Sequence, residues 1–282
     1  MTDTVQRGPA PQPFLKWVGG KRQLLAELRT RVAQARPYGR YHEPFVGGGA
    51  LFFDLYGRHE LGRSKAILSD NNPRLIEAYE GVQKNVEQVI ALLERHQAAH
   101  SEEHYYQVRA EVPDDKIACA ARLIYLNRTC FNGLYRENSK GEFNVPMGRY
   151  KNPLICNAAN LRVVSAALCR CQIHRSHFTA VLDRAVEGDL VYFDPPYDPV
   201  SKTANFTSYH RDPFGEDAQR SLADVFRRLH GRGVKLVLSN SDTPLIQELY
   251  APFTIEVVMA RRQVNSRGDK RGEVREVLAR NF

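Results

Sequence analysis

The stretch VYFDPPYDP, Val191 to Pro199, joins strand-forming residues to an acid, two prolines and a tyrosine. Val191, Tyr192 and Phe193 favour a buried strand. Asp194 then stands at the strand's carboxyl end, where open α/β sheets bind their ligands. Pro195 and Pro196 fix the backbone and carry no N–H. What remains is acceptor-only: a carboxylate and proline carbonyls. Such a place suits a group with N–H bonds to donate, such as an exocyclic amine. Tyr197 adds a flat face for stacking. A planar ring bearing an amino group describes adenine or cytosine, and a base inside a duplex has to be flipped out to be reached. A plain proline turn is the bland reading; the strand ahead and the aspartate-first order argue against it.

A second set of residues lies in EPFVGGGA, where Phe45 precedes Gly47, Gly48 and Gly49. Missing side chains let a ligand approach the backbone and the N-terminus of a following helix. No Gly-Lys-Ser/Thr follows, so this is not a phosphate-cradling P-loop. A tight turn with no ligand reads the same way. Asp70 ends KAILSD, 21 residues after Gly49. An acid at that spacing can take hydrogen bonds from ribose hydroxyls. A turn or helix-capping aspartate in DNNP is the alternative. Loop and acid together imply an adenosine-containing cofactor without saying which.

These residues must be placed by strands and turns. FLKWVGGKRQLLAELRTRVAQ reads as an aromatic stretch, a glycine turn and a helix with Leu24, Leu25 and Leu28 on one face. RYHEPFVGGGALFFDLYG reads as strand, loop and helix, and KAILSDNNP as strand and loop. From about residue 73 to 126 the period is helical. FNGLYRENSKGEFNVPMGRYKNP then reads as a projecting β-hairpin or ordered loop. The α/β rhythm returns with QIHRSHF, DLVYFDPPY, VKLVLSN, FTIEVVMARR and EVREVLARN. The simplest account is one α/β domain carrying a helical insertion.

The 282 residues are 43% hydrophobic, enough for one large domain or two modest ones. No apolar run reaches the length of a membrane span. MTDTVQRGPAPQPF lacks the apolar core of a signal peptide, and residues 1–13 are expected to be a disordered tail. The five cysteines are odd in number and lack framework spacing, which points to a reducing, cytoplasmic setting. Cys169, Cys171, His174 and His177 in CRCQIHRSH are too closely spaced for a paired zinc site, and no metal is expected. The formal charge of +8 favours a polyanionic partner.

The glycine loop and DPPY together resemble amino-group DNA methyltransferases. FLKWVGGK, EPFVGGGALFF, LSDNNP, LNRTCFNGLYRENSKGEFNVPMGRYKNP, DPPY, TANFTSYH and KLVLSNSD stand in the order of the Dam-type (D12 class) DNA adenine methyltransferases. The resemblance runs from Phe14 to Phe282. It implies a Rossmann-like methyltransferase sheet with an inserted, mostly helical recognition domain carrying a β-hairpin. Residues 14–72 and 157–282 are then catalytic, and residues 73–156 recognise the target. It implies S-adenosylmethionine as cofactor, with Trp17, Lys21, Phe45, Gly47, Gly49, Asp70 and Asp194 on the cofactor side. Asp194, Pro195, Pro196 and Tyr197 form the catalytic motif.

Double-stranded DNA is the implied partner, with G-A-T-C as the target. Between Arg128 and Lys151, five basic residues face two acids and interleave with aromatics, which suits groove entry. In the family pattern Arg136 reads a guanine, and Lys16, just before Trp17, is a candidate for contact with the guanine beside the target adenine. Phe131 wedges into the gap left by flipping, and Asn132 and Leu134 touch neighbouring bases. Arg128, Arg149 and Asn205 of TANFTSYH complete that side. Arg267 and Lys270, in RRQVNSRGDKRG, are expected against phosphates. DPVSKTANFTSYHRDPF is expected to act as a lid. The expected protein is a cytoplasmic, nucleoid-associated monomer. The alternatives are a cytosine-N4 methyltransferase, a nicotinamide dehydrogenase suggested by the loop and Asp70 alone, or a non-catalytic DNA-binding protein of this fold.

Overall fold

The computed structural model describes residues 9–17, 19, 21, 23–62, 65–199, 214–261 and 273–282. In chain order its elements are α1 (Leu25–Gln34), β1 (Tyr41–Glu43), α2 (Ala50–Gly57), β2 (Ala66–Asp70), α3 (Pro73–Ala98), α4 (Glu102–Ala110), α5 (Lys116–Thr129), α6 (Ala158–Leu168), β3 (Cys171–Arg175), α7 (Val181–Arg184), β4 (Leu190–Phe193), α8 (Glu216–His230), β5 (Lys235–Ser241), α9 (Pro244–Tyr250), β6 (Thr254–Arg261) and β7 (Glu273–Arg280). They fall into two compact units. One comprises Met1–Gly20, Gly47–Gly62 and Asp70–Arg175; the other comprises Lys21–Val46, Arg63–Ser69 and Ser176–Phe282.

The second unit holds strands in the order β2-β1-β4-β5-β7-β6. β2, β1, β4 and β5 are parallel, and β7 runs antiparallel to both β5 and β6. The parallel strands read as near-continuous apolar runs because both faces are covered; Leu190–Phe193 is buried throughout. Val191, Phe193, Leu236 and Leu238 share one core cluster with Leu222, Phe226 and Leu229 of α8 and Ile246 and Tyr250 of α9. α8 carries Glu216 and Asp217 in its first turn and Arg227, Arg228 and His230 in its last, matching the helix dipole. The order of connection reverses between β1 and β4, and at such a switch point the carboxyl ends of the strands take ligands. This is a Rossmann-like sheet with a reversed strand between β5 and β6. Asp189 pins its base: the buried carboxylate accepts the Arg40 backbone N–H at 2.9 Å, the Arg40 Nη2 at 2.7 Å and pairs with His42 Nε2 at 3.0 Å.

The first unit is mostly helical. α3 starts on Asn72, whose side chain accepts the Arg74 and Leu75 N–H groups, with Pro73 in the first turn. Its dihedrals break at Asn85. Leu75, Tyr79, Val82 and Val89 of α3, and Ala120, Ile124 and Tyr125 of α5, are buried in this unit. Ser101 caps α4 and Asp115 caps α5. Buried Arg122 donates to the Val108 and Arg109 carbonyls, each at 2.7 Å, which satisfies the end of α4.

Two sequence expectations take a different form here. The hairpin after α5 has no strand ladder. Isolated bridges pair Cys130 with Met147 and Glu137 with Phe143. The Asn138 carboxamide accepts the Lys140 and Glu142 N–H groups and so closes the tip. Pro146 has no N–H and Asn132 takes a left-handed φ of 54°, which interrupts the pairing between the two bridges; it resumes where the Phe131 N–H donates to the Pro146 carbonyl at 2.9 Å. Secondly, residues 9–13 of the tail are packed: Pro11 is buried, and Gln12 exchanges two hydrogen bonds of 2.9 Å with Asn160. Composition hid this, because prolines and polar residues also line ordered extended segments.

Candidate functional site

In the second unit, Asp194 directly follows β4. The register Tyr192↔Val237 and Phe193↔Leu238 brings Asp194 beside Ser239 of β5. Ser239 Oγ donates to Asp194 Oδ1 at 2.9 Å, and Lys21 Nζ lies 3.1 Å from the same oxygen. Lys21 also sits 3.7 Å over the Tyr197 ring. The Tyr197 hydroxyl donates to Glu276 Oε2 of β7 at 2.8 Å. Gln219 of α8 donates to the Pro196 carbonyl at 3.0 Å, and Asn240 of β5 accepts the Asp198 N–H at 3.1 Å. Asn240 and Gln219 bond each other at 3.1 Å. The motif is thus held from three neighbouring elements. Burial raises the Asp194 carboxyl above its ordinary range, against the pull of Lys21 and Ser239. Burial raises the Tyr197 phenol as well.

Ser239, Asn240, Gln219 and Glu276 are partners of the DPPY segment that sequence reasoning did not single out. The signal for two of them was present in LVLSNSD, where an apolar strand ends in polar residues that remain buried. Gln219 carried none, since an amide beside Arg220 in α8 reads as solvent-facing; the structure buries it fully. Phe45 belongs to the aromatic core of this unit, 5.4 Å from Phe178 and 5.5 Å from Phe214.

In the first unit, the glycine loop is closed by protein. Gly47 and Gly49 have φ of 47° and 67°, which favour glycine. A Cβ on Gly47 would meet Trp17 at 2.9 Å, and one on Gly49 would meet the Tyr79 hydroxyl at 2.7 Å. These glycines therefore admit Trp17 and Tyr79, a reason the sequence did not reveal. Asp70 Oδ2 accepts the Gly47 N–H at 3.2 Å and Oδ1 accepts that of Asn72 at 3.0 Å. Burial raises this carboxyl too, opposed by those N–H groups. Asp70 thus forms the turn before α3, as the capping alternative expected, and it also orders the glycine loop. A third N–H, that of Asn71, also bonds this carboxylate, which leaves one acceptor position for a hydroxyl.

Trp17 also stacks on Tyr135 at 5.3 Å. Beside it lies the expected DNA-contacting set. Fully buried Asn127 accepts the Lys16 N–H at 2.7 Å and donates to the carbonyls of Lys16 at 2.8 Å and Gly133 at 3.0 Å. Lys16 Nζ sits 4.0 Å over the Tyr150 ring and 3.4 Å from the Arg128 carbonyl. Burial first, then Arg128, lowers the Lys16 ammonium below its usual range. Arg128 donates to the Phe14 carbonyl at 3.0 Å. Phe131 is 48% exposed, a large apolar side chain offered to solvent, with exposed Asn132 next to it. Leu134 is half-buried, and Arg149 is exposed. Arg136 is exposed, and its Nε donates to Asn144 Oδ1 at 2.6 Å across the loop. Asn205, Arg267, Lys270 and the expected lid from residue 200 lie outside the described residues.

The order of these motifs has a counterpart in a known family. The model of the D12 class N6 adenine-specific DNA methyltransferases matches residues 17–264. The chain belongs to the D12 class. It is 42% identical over 279 residues to Type II methyltransferase M1.LlaDCHI of Lactococcus lactis subsp. cremoris, across 96% of this chain and 95% of that one. It is likewise 42% identical over 288 residues to Type II methyltransferase M.MjaIII of Methanocaldococcus jannaschii, across 96% and 99%. The DNA adenine methylase of Escherichia coli (strain K12) is 36% identical over 270 residues, across 94% of each chain. As a D12 class DNA methyltransferase the protein is an enzyme that acts on DNA. Among the described residues, no cluster of His, Cys, Asp and Glu can hold a metal, and no helix is long and apolar enough to cross a membrane.

Proposed function

We propose that the protein methylates the exocyclic amine of adenine in double-stranded G-A-T-C, using S-adenosylmethionine and a flipped target base. The observation that carries this is the acceptor cluster at Asp194: a half-buried carboxylate, a proline-fixed backbone and a tyrosine face. The donor set also fits the cofactor. Asp70 keeps acceptor capacity for a hydroxyl at the end of β2. When bound, S-adenosylmethionine would supply a methyl activated on a sulfonium: the S–CH3 bond would break as the N–CH3 bond forms, leaving a neutral thioether, and the nitrogen's proton would pass by way of Asp194 to solvent.

The chain's own residues do the rest. Asp194 and the Pro195 carbonyl accept the two amine N–H bonds and return electron density to the nitrogen. Tyr197 stacks on the base ring, its plane set by Glu276. Holding the amine in line is worth several kcal/mol or more of the barrier. Phe131 fills the gap left by the base, while Arg136 and Lys16 read the guanines. On this reading residues 73–156 are the target-recognition part, and the enzyme works as a monomer.

The test is methylation of plasmid DNA with labelled S-adenosylmethionine, followed by mapping of the modified base. N6-methyladenine within G-A-T-C is expected. N4-methylcytosine, a different adenine context, or no transfer overturns the reading.

A further inference from the structure

We infer that Ser239 and Tyr192 are positioning residues that commit one oxygen of Asp194 to the protein and so present the other to the target amine. This rests on the reading of Asp194 as the amine's acceptor. Among the described residues, both groups that bond to Asp194 use Oδ1: Ser239 Oγ at 2.9 Å and Lys21 Nζ at 3.1 Å. Oδ2 is thereby left to accept an N–H from a substrate.

The direction of the bonds follows from proton counting. An ionised carboxylate only accepts, so Ser239 spends its one proton on Asp194. Ser239 Oγ also lies 3.0 Å from the Tyr192 hydroxyl, which must then be the donor. Ser239 is fully buried and Tyr192 is 1% exposed, so no bulk water competes for either bond. The relay therefore runs from Tyr192 to Ser239 to Asp194, each step polarising the next. It starts in the sheet rather than in a loop. Tyr192 and Asp194 point to one face of β4, and Ser239 lies beside them on β5. A rigid sheet thus fixes the carboxylate's rotation about its own axis, which Lys21 alone, on a long side chain, does not.

The test compares wild type with Ser239→Ala, Ser239→Thr and Tyr192→Phe. Single-turnover methyl transfer and DNA affinity are measured across pH. Ser239→Ala is expected to slow transfer by about 10- to 100-fold, the scale of one hydrogen bond to a charged group, with DNA affinity unchanged. The acid limb of its rate profile moves to higher pH, because a donor to the ionised form is gone. Ser239→Thr keeps the hydroxyl and restores both rate and profile. Tyr192→Phe shifts both in the same direction by less. Selective 13C labelling of aspartate follows the Asp194 carboxyl directly, and its titration moves up in Ser239→Ala. A wild-type rate and profile in Ser239→Ala overturns the inference, as does an Asp194 titration that does not move. A loss that Ser239→Thr fails to restore, accompanied by lost thermal stability, marks Ser239 as structural and overturns it too. Wild type that transfers no methyl overturns the functional reading instead, while the carboxyl titration still decides the relay.

Discussion

Asp194 and Asn127 show how single side chains carry this protein. Asp194→Ala is expected to abolish methyl transfer and leave a folded protein that still binds DNA. Asp194→Asn, which keeps the shape but loses the charge facing Lys21, serves as its control. Near-normal turnover in either would remove Asp194 from the reaction. Asn127 bonds three backbone groups at once. Asn127→Ala leaves buried donors and acceptors unpaired, and a loss of about 3 kcal/mol in unfolding free energy is expected. DNA affinity should fall with it, since Lys16 and the turn at Gly133 lose their common anchor. Denaturant titration and filter binding check the two effects separately. Arg136 is tested by discrimination. If it reads guanine, Arg136→Ala costs about 1–3 kcal/mol on G-A-T-C and little on sites altered at that guanine. Equal losses on every site would mean that it binds phosphate.

At the scale of elements, local chemistry announced most of the structure. Strands ending in Asp70 and Asp194 and a glycine loop before α2 were all legible, because each depends on residues close in sequence. What was not legible depends on residues brought together by folding. The partners of DPPY come from α8, β5 and β7, and nothing local to them names the loop they hold. The segment after α5 was legible as a hairpin or ordered loop, but the interruption of its pairing at Asn132 and Pro146 was not. The junction of α3 and α4 was likewise silent. There His96 Nδ1 lies 3.0 Å from His104 Nε2, and the His96 ring stacks on Tyr125 at 4.8 Å. Burial, then His104, lowers the His96 pKa to about 4. His96 in the unfolded chain protonates near its ordinary 6.5, so the unfolded state binds more protons between pH 6.5 and about 4. Its contribution is fully present above pH 6.5 and is lost as pH falls through that window. Thermal unfolding from pH 7.5 to 4 should show falling stability, with a shallower slope in His96→Gln. An unchanged slope would assign the acid sensitivity to other groups.

For the molecule as a whole, charge governs how the surface meets its partner. The chain carries 40 lysines and arginines against 32 aspartates and glutamates, an excess suited to a polyanion. Several of the arginines are matched by the protein's own acids. Arg40 pairs with Asp189, Arg31 and Arg280 with Glu256, and Arg162 with Glu87. In RRQVNSRGDKRG the basic residues outnumber a single aspartate, so that stretch has charge to spare for phosphates. Replacing Arg267, Lys270 and Arg271 together by alanine should weaken binding to all sequences alike. The slope of log affinity against log salt should become shallower by about one for each phosphate no longer neutralised. An unchanged slope would make that stretch a solvated turn.

The indole held against Gly47 and Tyr135 has one more consequence. Trp17 is the sole tryptophan in the chain, so its emission is a built-in optical gauge that needs no label. Atoms of its five-membered ring abut Gly47, and the ring stacks on Tyr135 of the loop after α5. A small molecule settling on the first and a duplex gripping the second must therefore write to the same fluorophore. Their two titrations, run in either order, yield the coupling between them from a single wavelength.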